Sequence, residues 1–325
     1  MKINSVFNIH NVKYFNKTAL ELFHFQSENC TVYRDFLNFL KINVSDVTRI
    51  HQIPFLPIQF FKSHQILSSK ETIQRIFLSS GTTGNTQSKH YITDLSIYAE
   101  SFTKGFENFY GSIEDYTVLA LLPSYLERDG SSLIYMVNNF IKNSNKPKSG
   151  FYLNNLEELH KNLLELNKDN EKVLLIGVSF ALLDLVETFN FKLKNTIIME
   201  TGGMKGRRKE LIREELHQIL CNGFGVKKIH SEYGMTELLS QAYSKGDGIF
   251  ECPPWMKVLT RDTEDALTIL PEGKSGGINI IDLANINSCS FIATKDLGKT
   301  YTNGTFEVLG RFDDSDIRGC NLMVL

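Results

Sequence analysis

Between residues 117 and 233 the chain alternates between short apolar runs and longer amphipathic ones, and this alternation limits the fold more than any other feature. The apolar runs are TVLALLPSYL (117–126), KVLLIGV (172–178), NTIIME (195–200) and KKIHSEY (227–233). Between them lie SSLIYMVNNFI (131–141) and the stretches 156–167, 179–190 and 207–221, all with apolar residues at helical spacing. A strand that is apolar on both faces needs cover on both faces, and intervening helices supply it. The pattern therefore predicts an α/β fold built on a mainly parallel sheet with packed helices. After residue 246 the texture changes to short alternating segments broken by Gly, Pro and Asp. We expect a large α/β lobe over 1–246 and a smaller β-rich lobe over 247–325. Upstream, Pro54 and Pro57 exclude a helix interior from IPFLPIQFFK (53–62). Asp94 is placed to cap a helix whose apolar positions are Leu95, Tyr98, Phe102, Phe106 and Phe109.

Charge narrows the function. Thirty-five basic residues face 37 acidic ones across 325 positions, with neither sign segregated, so there is no electrostatic case for nucleic acid or an anionic membrane surface. The five cysteines (Cys30, Cys221, Cys252, Cys289, Cys320) include no CxxC pair, which argues against a zinc site or disulfide framework and for reduced thiols. The N-terminal stretch lacks the apolar run of a signal peptide, and no segment reaches the roughly 20 apolar residues that cross a bilayer. We expect a cytoplasmic protein with no membrane span.

Four segments can carry chemistry. In SSGTTGNTQSK (Ser79–Lys89), Ser79, Ser80, Thr82 and Thr83 bring hydroxyls and main-chain N–H groups, while Gly81 and Gly84 bring conformational freedom. Such a loop can wrap around phosphate oxygens, although it is not the GxxxxGK[ST] nucleotide loop. YGMTE (Tyr233–Glu237) follows a predicted parallel strand, and ligands in open α/β sheets bind at the carboxyl ends of strands. Glu237 there can hold a magnesium ion through oxygen. In TKDLGKT (294–300), Asp296 can accept from both ribose hydroxyls of a nucleotide; GRFDDSDIRGC (310–320) adds Arg311. Singly, each has an ordinary reading: an exposed turn for the loop, a first-turn helix glutamate for Glu237, a turn aspartate for Asp296, a surface ion pair for Arg311. His230, at the last strand of the alternating region, borders the site or packs in the core.

In this order the four segments resemble the adenylate-forming superfamily of acyl-CoA synthetases, luciferases and peptide-synthetase adenylation domains. A longer set of stretches is similar to one branch, the acyl-protein synthetases or fatty-acid–protein ligases: IPFLPIQFFK, SSGTTGNTQSKH, LLPSYLERDGSSLIYM, METGGMKGRRKEL, SEYGMTEL and RGCNLMVL. The resemblance implies ATP and Mg2+ as cofactors and a carboxylic acid, a fatty acid in this branch, as substrate. It implies that Ser79, Ser80, Gly81, Thr82, Thr83 and Gly84 hold the outer phosphates with Lys89 nearby. Tyr233 and Gly234 would border the adenine, Thr236 contact the α-phosphate, Glu237 bind the metal, and Asp296 and Arg311 grip the ribose. Gly202 and Gly203 would line the acyl or adenine pocket. In place of the superfamily's Gly-x-Pro-Lys this chain has Asn85-Thr86-Gln87-Ser88-Lys89, and the superfamily's C-terminal lid has no counterpart.

Cys320 has two readings. In the resembling family a cysteine near the C-terminus carries the acyl group as a thioester and hands it to a partner acyl reductase or acyltransferase. A thiolate is a strong nucleophile, and Arg318 two residues earlier favours ionisation; the ordinary alternative is a small apolar residue in a terminal strand. The expected activity is carboxylate plus Mg·ATP giving acyl-AMP, then transfer to a protein thiol. The rivals are delivery to coenzyme A or a carrier protein, and a non-catalytic module that binds nucleotide or a partner.

Overall fold

Helix α1 (Val12–Asn29) starts where Asn11 accepts the Tyr14 N–H, and it buries Phe15, Leu22 and Phe23 along one face. Helix α2 (Thr31–Phe39) follows, and Tyr33 packs with Phe23 against Phe291. The computed structural model describes residues 6–80, 86–123, 130–202 and 211–312. The two-proline stretch holds a short strand, β1 (Leu56–Pro57), and one helical turn, α3 (Phe60–Ser63). A small antiparallel ribbon forms a sheet of its own: β2 (Arg75–Leu78) pairs with β3 (Lys89–Ile92), and the Ser/Thr/Gly loop joins them.

The alternating region folds as its pattern predicts. Helix α4 (Leu95–Tyr110) begins at Asp94, whose carboxylate accepts the Ser96 N–H at 2.9 Å. Strands β4 (Thr117–Leu121), β6 (Val173–Val178) and β7 (Thr196–Thr201) have buried interiors because helices cover them: α5 (Ser132–Ser144), α6 (Leu156–Lys168), α7 (Ser179–Thr188) and α8 (Arg213–Phe224). Here α8 begins at Arg213, short of the predicted 207–221 start: Leu211 is outside the helix and Ile212 is extended, while Glu214 and Glu215 suit the first turn. Gly225 ends it with φ +68, and a Cβ there would stand 2.8 Å from Phe191 O, so any side chain would meet main chain.

Strand β5 (Gly150–Phe151) edges β4, and β8 (His230–Tyr233) joins β7, so β5, β4, β6, β7 and β8 run parallel. From β8 onward the chain reverses without a crossover helix. Strands β9 (Ala242–Ser244), β10 (Ile249–Glu251), β11 (Met256–Arg261), β12 (Ser275–Asp282), β13 (Phe291–Thr300) and β14 (Phe306–Arg311) extend the same sheet through antiparallel pairs. Its order is β11-β12-β13-β14-β10-β9-β8-β7-β6-β4-β5, with β1 parallel beside β13. Among the described residues no helix is long and apolar enough to cross a membrane.

Candidate active site

The sheet changes from parallel to antiparallel at the end of β8, and the predicted residues gather there. Tyr233, the last residue of β8, donates its hydroxyl to Asp296 Oδ2 at 2.8 Å, and Arg311 Nε donates to Asp296 Oδ1 at 3.1 Å. The β13–β14 ladder sets Asp296 directly opposite Arg311. Asp296 is 7% exposed, whereas the Arg311 side chain is 78% exposed. The Tyr233 ring packs against Phe250 and Phe306 at 5.9 and 5.6 Å. Burial, and then the Asp296 charge, push the phenol far above its usual range, so it remains a donor.

Beneath Asp296 lies Arg261, which the sequence motifs did not single out. Its guanidinium donates to Ile278 O, Asn279 Oδ1 and Thr294 O at 2.7, 2.8 and 2.6 Å. Thr294 Oγ1 in turn accepts the Asp296 N–H at 3.1 Å. Burial lowers the Arg261 pKa to about 10, and the Asp296 charge opposes the shift.

Glu237 sits in a turn, not in the first turn of a helix, because the segment after β8 curls back toward β9. It is 5% exposed. Burial raises its carboxyl pKa, while a hydrogen bond from Ser88 and the charges of Arg311 and Lys62 pull the other way. The turn is held by its neighbours: Asn285 Nδ2 donates to Glu237 O at 2.9 Å, and Asp282 accepts from Leu239 N, Ser240 N and Ser240 Oγ at 2.8, 3.0 and 2.6 Å. His90 Nδ1 lies 2.8 Å from Thr236 O, 146 residues along the chain. His90 is buried, and burial lowers its pKa to about 4. Ser79 and Ser88, at the two ends of the small-residue loop, are bonded to each other: Ser79 N donates to Ser88 O, and Ser88 N to Ser79 Oγ, at 3.1 and 2.9 Å. The loop's flanks and the YGMTE turn are therefore adjacent.

An enclosed carboxylate whose charge is only partly offset fits a hard cation held through oxygen. Among the described residues no three His, Cys, Asp or Glu side chains converge, so a cation at Glu237 would draw its other oxygens from hydroxyls, main chain, water or a ligand.

A second carboxylate pair lies just behind. Glu200, on β7, is held below its usual range despite burial, through Ser231, the Arg213 charge and His217, whose Nε2 is 3.6 Å away. Glu232, on β8, accepts from Thr201 Oγ1 at 2.5 Å. Burial lifts it to about 7, Thr201 opposes this, and the Glu200 charge adds to it. Its carboxyl also explains Gly234: a Cβ there would stand 2.4 Å from Glu232 Oε1.

Of the predicted residues, Tyr233, Asp296 and Arg311 form one hydrogen-bonded group, and Glu237 is linked to it through the Arg311 charge. Thr236 and Gly234 lie on the connecting turn, and Ser79 at the loop base. Ser80 is exposed, as is Lys89 at the start of β3, and Gly202 ends β7 with φ +59. Gly81, Thr82, Thr83, Gly84, Gly203 and Cys320 lie outside the described residues. His230 starts β8, at the opposite end from Tyr233. Its Nδ1 is 3.2 Å from the Tyr110 hydroxyl, and burial with Lys245 and Lys228 lowers its pKa to about 4. It is a packed histidine.

The sequence profile of the family described as acyl-protein synthetase, LuxE, matches residues 8–109 and 129–325. A long-chain-fatty-acid–luciferin-component ligase of Vibrio harveyi is 24% identical over 177 residues, 50% of this chain and 47% of that protein. The chain thus matches about half the length of that curated relative. Among solved structures, a 2-hydroxyisobutyryl-CoA ligase in complex with 2-HIB-AMP and CoA aligns with a TM-score of 0.67 at 11% identity, over 93% of this chain and 70% of that one. ATP-bound MatB from Rhodopseudomonas palustris aligns at 0.55 and 18% identity, over 75% and 49%. The long-chain-fatty-acid-CoA ligase FadD1 from Archaeoglobus fulgidus aligns at 0.52 and 16%, over 75% and 52%. These likenesses show the fold, which is that of the adenylate-forming enzymes.

Proposed function

The chain belongs to the acyl-protein synthetase family, and from that premise we propose that it activates a fatty acid with ATP and passes the acyl group to a protein thiol in the cytoplasm. The observation that carries this reading is the Tyr233–Asp296–Arg311 group beside the Glu237 turn, with Ser88 of the small-residue loop bonded to Glu237. Motifs far apart in the chain meet at the carboxyl end of a parallel strand, the place where ligands of open α/β sheets bind.

In the first half-reaction a carboxylate oxygen of the acid bonds to the α-phosphorus of ATP while the bond from that phosphorus to the bridging oxygen breaks, releasing pyrophosphate. Asp296 is oriented by two donors, and its remaining acceptor capacity suits the ribose hydroxyls. The loop Ser79–Gly84 supplies main-chain N–H groups and hydroxyls to the outer phosphates, with Lys89 nearby, and Thr236 donates to the α-phosphate. Gly202 and Gly203 line the acyl or adenine pocket. Glu237 is the residue to hold Mg2+, which when bound supplies charge neutralisation at the phosphates. This is catalysis by positioning and electrostatics. In the second half-reaction a thiolate, with Cys320 the candidate, forms the C–S bond as the acyl–oxygen bond to AMP breaks. The thioester then serves an acyl reductase or acyltransferase partner. The name of the Vibrio harveyi relative supports a long-chain fatty acid.

The test is acid-dependent exchange of labelled pyrophosphate into ATP across a fatty-acid panel, followed by mass spectrometry of the denatured chain. Exchange together with a hydroxylamine-sensitive acyl adduct that Cys320→Ser abolishes supports both halves. Exchange without an adduct transfers the second half to coenzyme A or a carrier protein, and absence of exchange with every acid removes the activity.

A further inference from the structure

The strand that leaves the small-residue loop carries a histidine, the last residue of SSGTTGNTQSKH, to which the motif reading assigned no role. His90 is 0% exposed, and its ring stands edge-on to Phe61 with centroids 5.6 Å apart and planes at 89°. Its Nδ1 faces Thr236 O at 2.8 Å. A carbonyl oxygen only accepts, so the ring proton is on Nδ1. Nε2 is left as a buried lone pair with no hydrogen-bond partner among the described residues. This is the reverse of the tautomer that a free histidine side chain favours, and the Thr236 carbonyl selects it.

The bond spans the two halves of the site. On one side is β3, whose preceding residue Ser88 closes the loop onto Ser79 and also bonds to Glu237. On the other is the turn carrying Thr236 and Glu237, whose far side is fixed by Asn285 and Asp282. We propose that His90 is a positioning residue: protonated on Nδ1, it clamps the Thr236–Glu237 turn to the strand leaving the Ser79–Lys89 loop. The two segments then keep one spacing whether or not nucleotide is present. The role rests on the adenylation reading for its purpose, but the clamp is a property of the protein alone. A histidine suits the task because its ring fills the space against Phe61 while a ring nitrogen reaches the carbonyl. Phenylalanine keeps the ring and loses the donor; asparagine keeps a donor near the Nδ1 position and loses the ring.

The test uses the full chain. Nitrogen-15 NMR of histidine-labelled protein, with the His90 signal assigned by its loss in His90→Asn, should show the Nδ1–H tautomer. An Nε2–H ring, or one averaging between forms, overturns the proposal. Hydrogen exchange without nucleotide should be faster over residues 236–240 in His90→Phe than in wild type, with His90→Asn close to wild type; equal rates in all three overturn it. In pyrophosphate exchange His90→Phe should lose about tenfold in kcat with little change in KM for ATP, and His90→Asn should recover most of it. A KM effect alone, or no recovery in the asparagine variant, marks His90 as packing and overturns the proposal. If wild type itself shows no exchange with any acid, the adenylation reading falls, and the tautomer and exchange data still decide the clamp.

Discussion

Replacing Glu232 with glutamine should flatten the dependence of stability on pH between about 5.5 and 8.5. The carboxyl is enclosed between β7 and β8, takes a hydrogen bond from Thr201, and lies near the Glu200 charge; burial raises it to about 7 from the ordinary 4.5. The folded-state value lies above the unfolded one, so the protonated form stabilises the fold fully below about pH 4.5, and that stability is lost as pH rises through about 7. A shift of this size changes the stability of the wild-type protein by about 2 kcal/mol between pH 5.5 and 8.5 through this group alone. Glutamine keeps the shape of the protonated acid and does not titrate, so the difference between wild type and variant should drift by that amount across the window. Every other titrating group is common to both proteins and cancels; Glu200, the nearest, is itself held below the usual carboxylate range despite its burial. Urea unfolding at closely spaced pH values gives both curves, provided the slope against urea stays the same in both. Curves that run parallel to within about 0.5 kcal/mol would show Glu232 ionised over the whole range, and the account of a carboxylate raised by burial would fail.

Glu237→Gln should lower magnesium-dependent pyrophosphate exchange about a hundredfold with an unchanged unfolding curve, since the amide keeps the Ser88 side of the turn but loses the charge; unaltered exchange moves the metal elsewhere. Tyr233→Phe removes the 2.8 Å bond to Asp296 and should raise KM for ATP about tenfold, as a steady-state titration would read; an unchanged KM refutes the ribose role of Asp296. Arg261→Met takes their donor from Asn279 Oδ1 and Thr294 O, while Ile278 O keeps the Thr294 hydroxyl, and should cost on the order of 3 kcal/mol in urea unfolding, with Arg261→Lys recovering part; a loss below about 1 kcal/mol would show that the strands relax.

The alternating middle was legible because β4, β6 and β7 must be apolar on both faces, and because Asp94 announces α4 with a capping carboxylate. The site motifs were legible as residue types in an order, and Tyr233, Asp296 and Arg311 do meet. What the chain alone could not convey was partnership. His90 reads as one more residue of a short strand until Thr236, 146 positions on, is seen against it. Asp282 looks like a turn aspartate, yet it takes three hydrogen bonds from Leu239 and Ser240. The turn after β8 left two local conformations open: a glutamate following an apolar strand is equally at home in a helix start and in a reversal, and only the pairing of β9 with β8 decides it.

The hairpin of β13 and β14 acts as a fixed calliper. Asp296 and Arg311 face each other because a ladder of main-chain bonds puts them in register, with one irregularity next to Leu297 and Gly298. Their separation is thus decided when the strands pair, by main-chain bonds and not by anything the two side chains meet afterwards. It also makes the hairpin sensitive to phase rather than to length. Residues inserted in the exposed turn at 302–304 leave the pair aligned, whereas a one-residue slip of the ladder beyond the irregularity at Leu309 would carry the arginine to the other face of the sheet, away from Asp296.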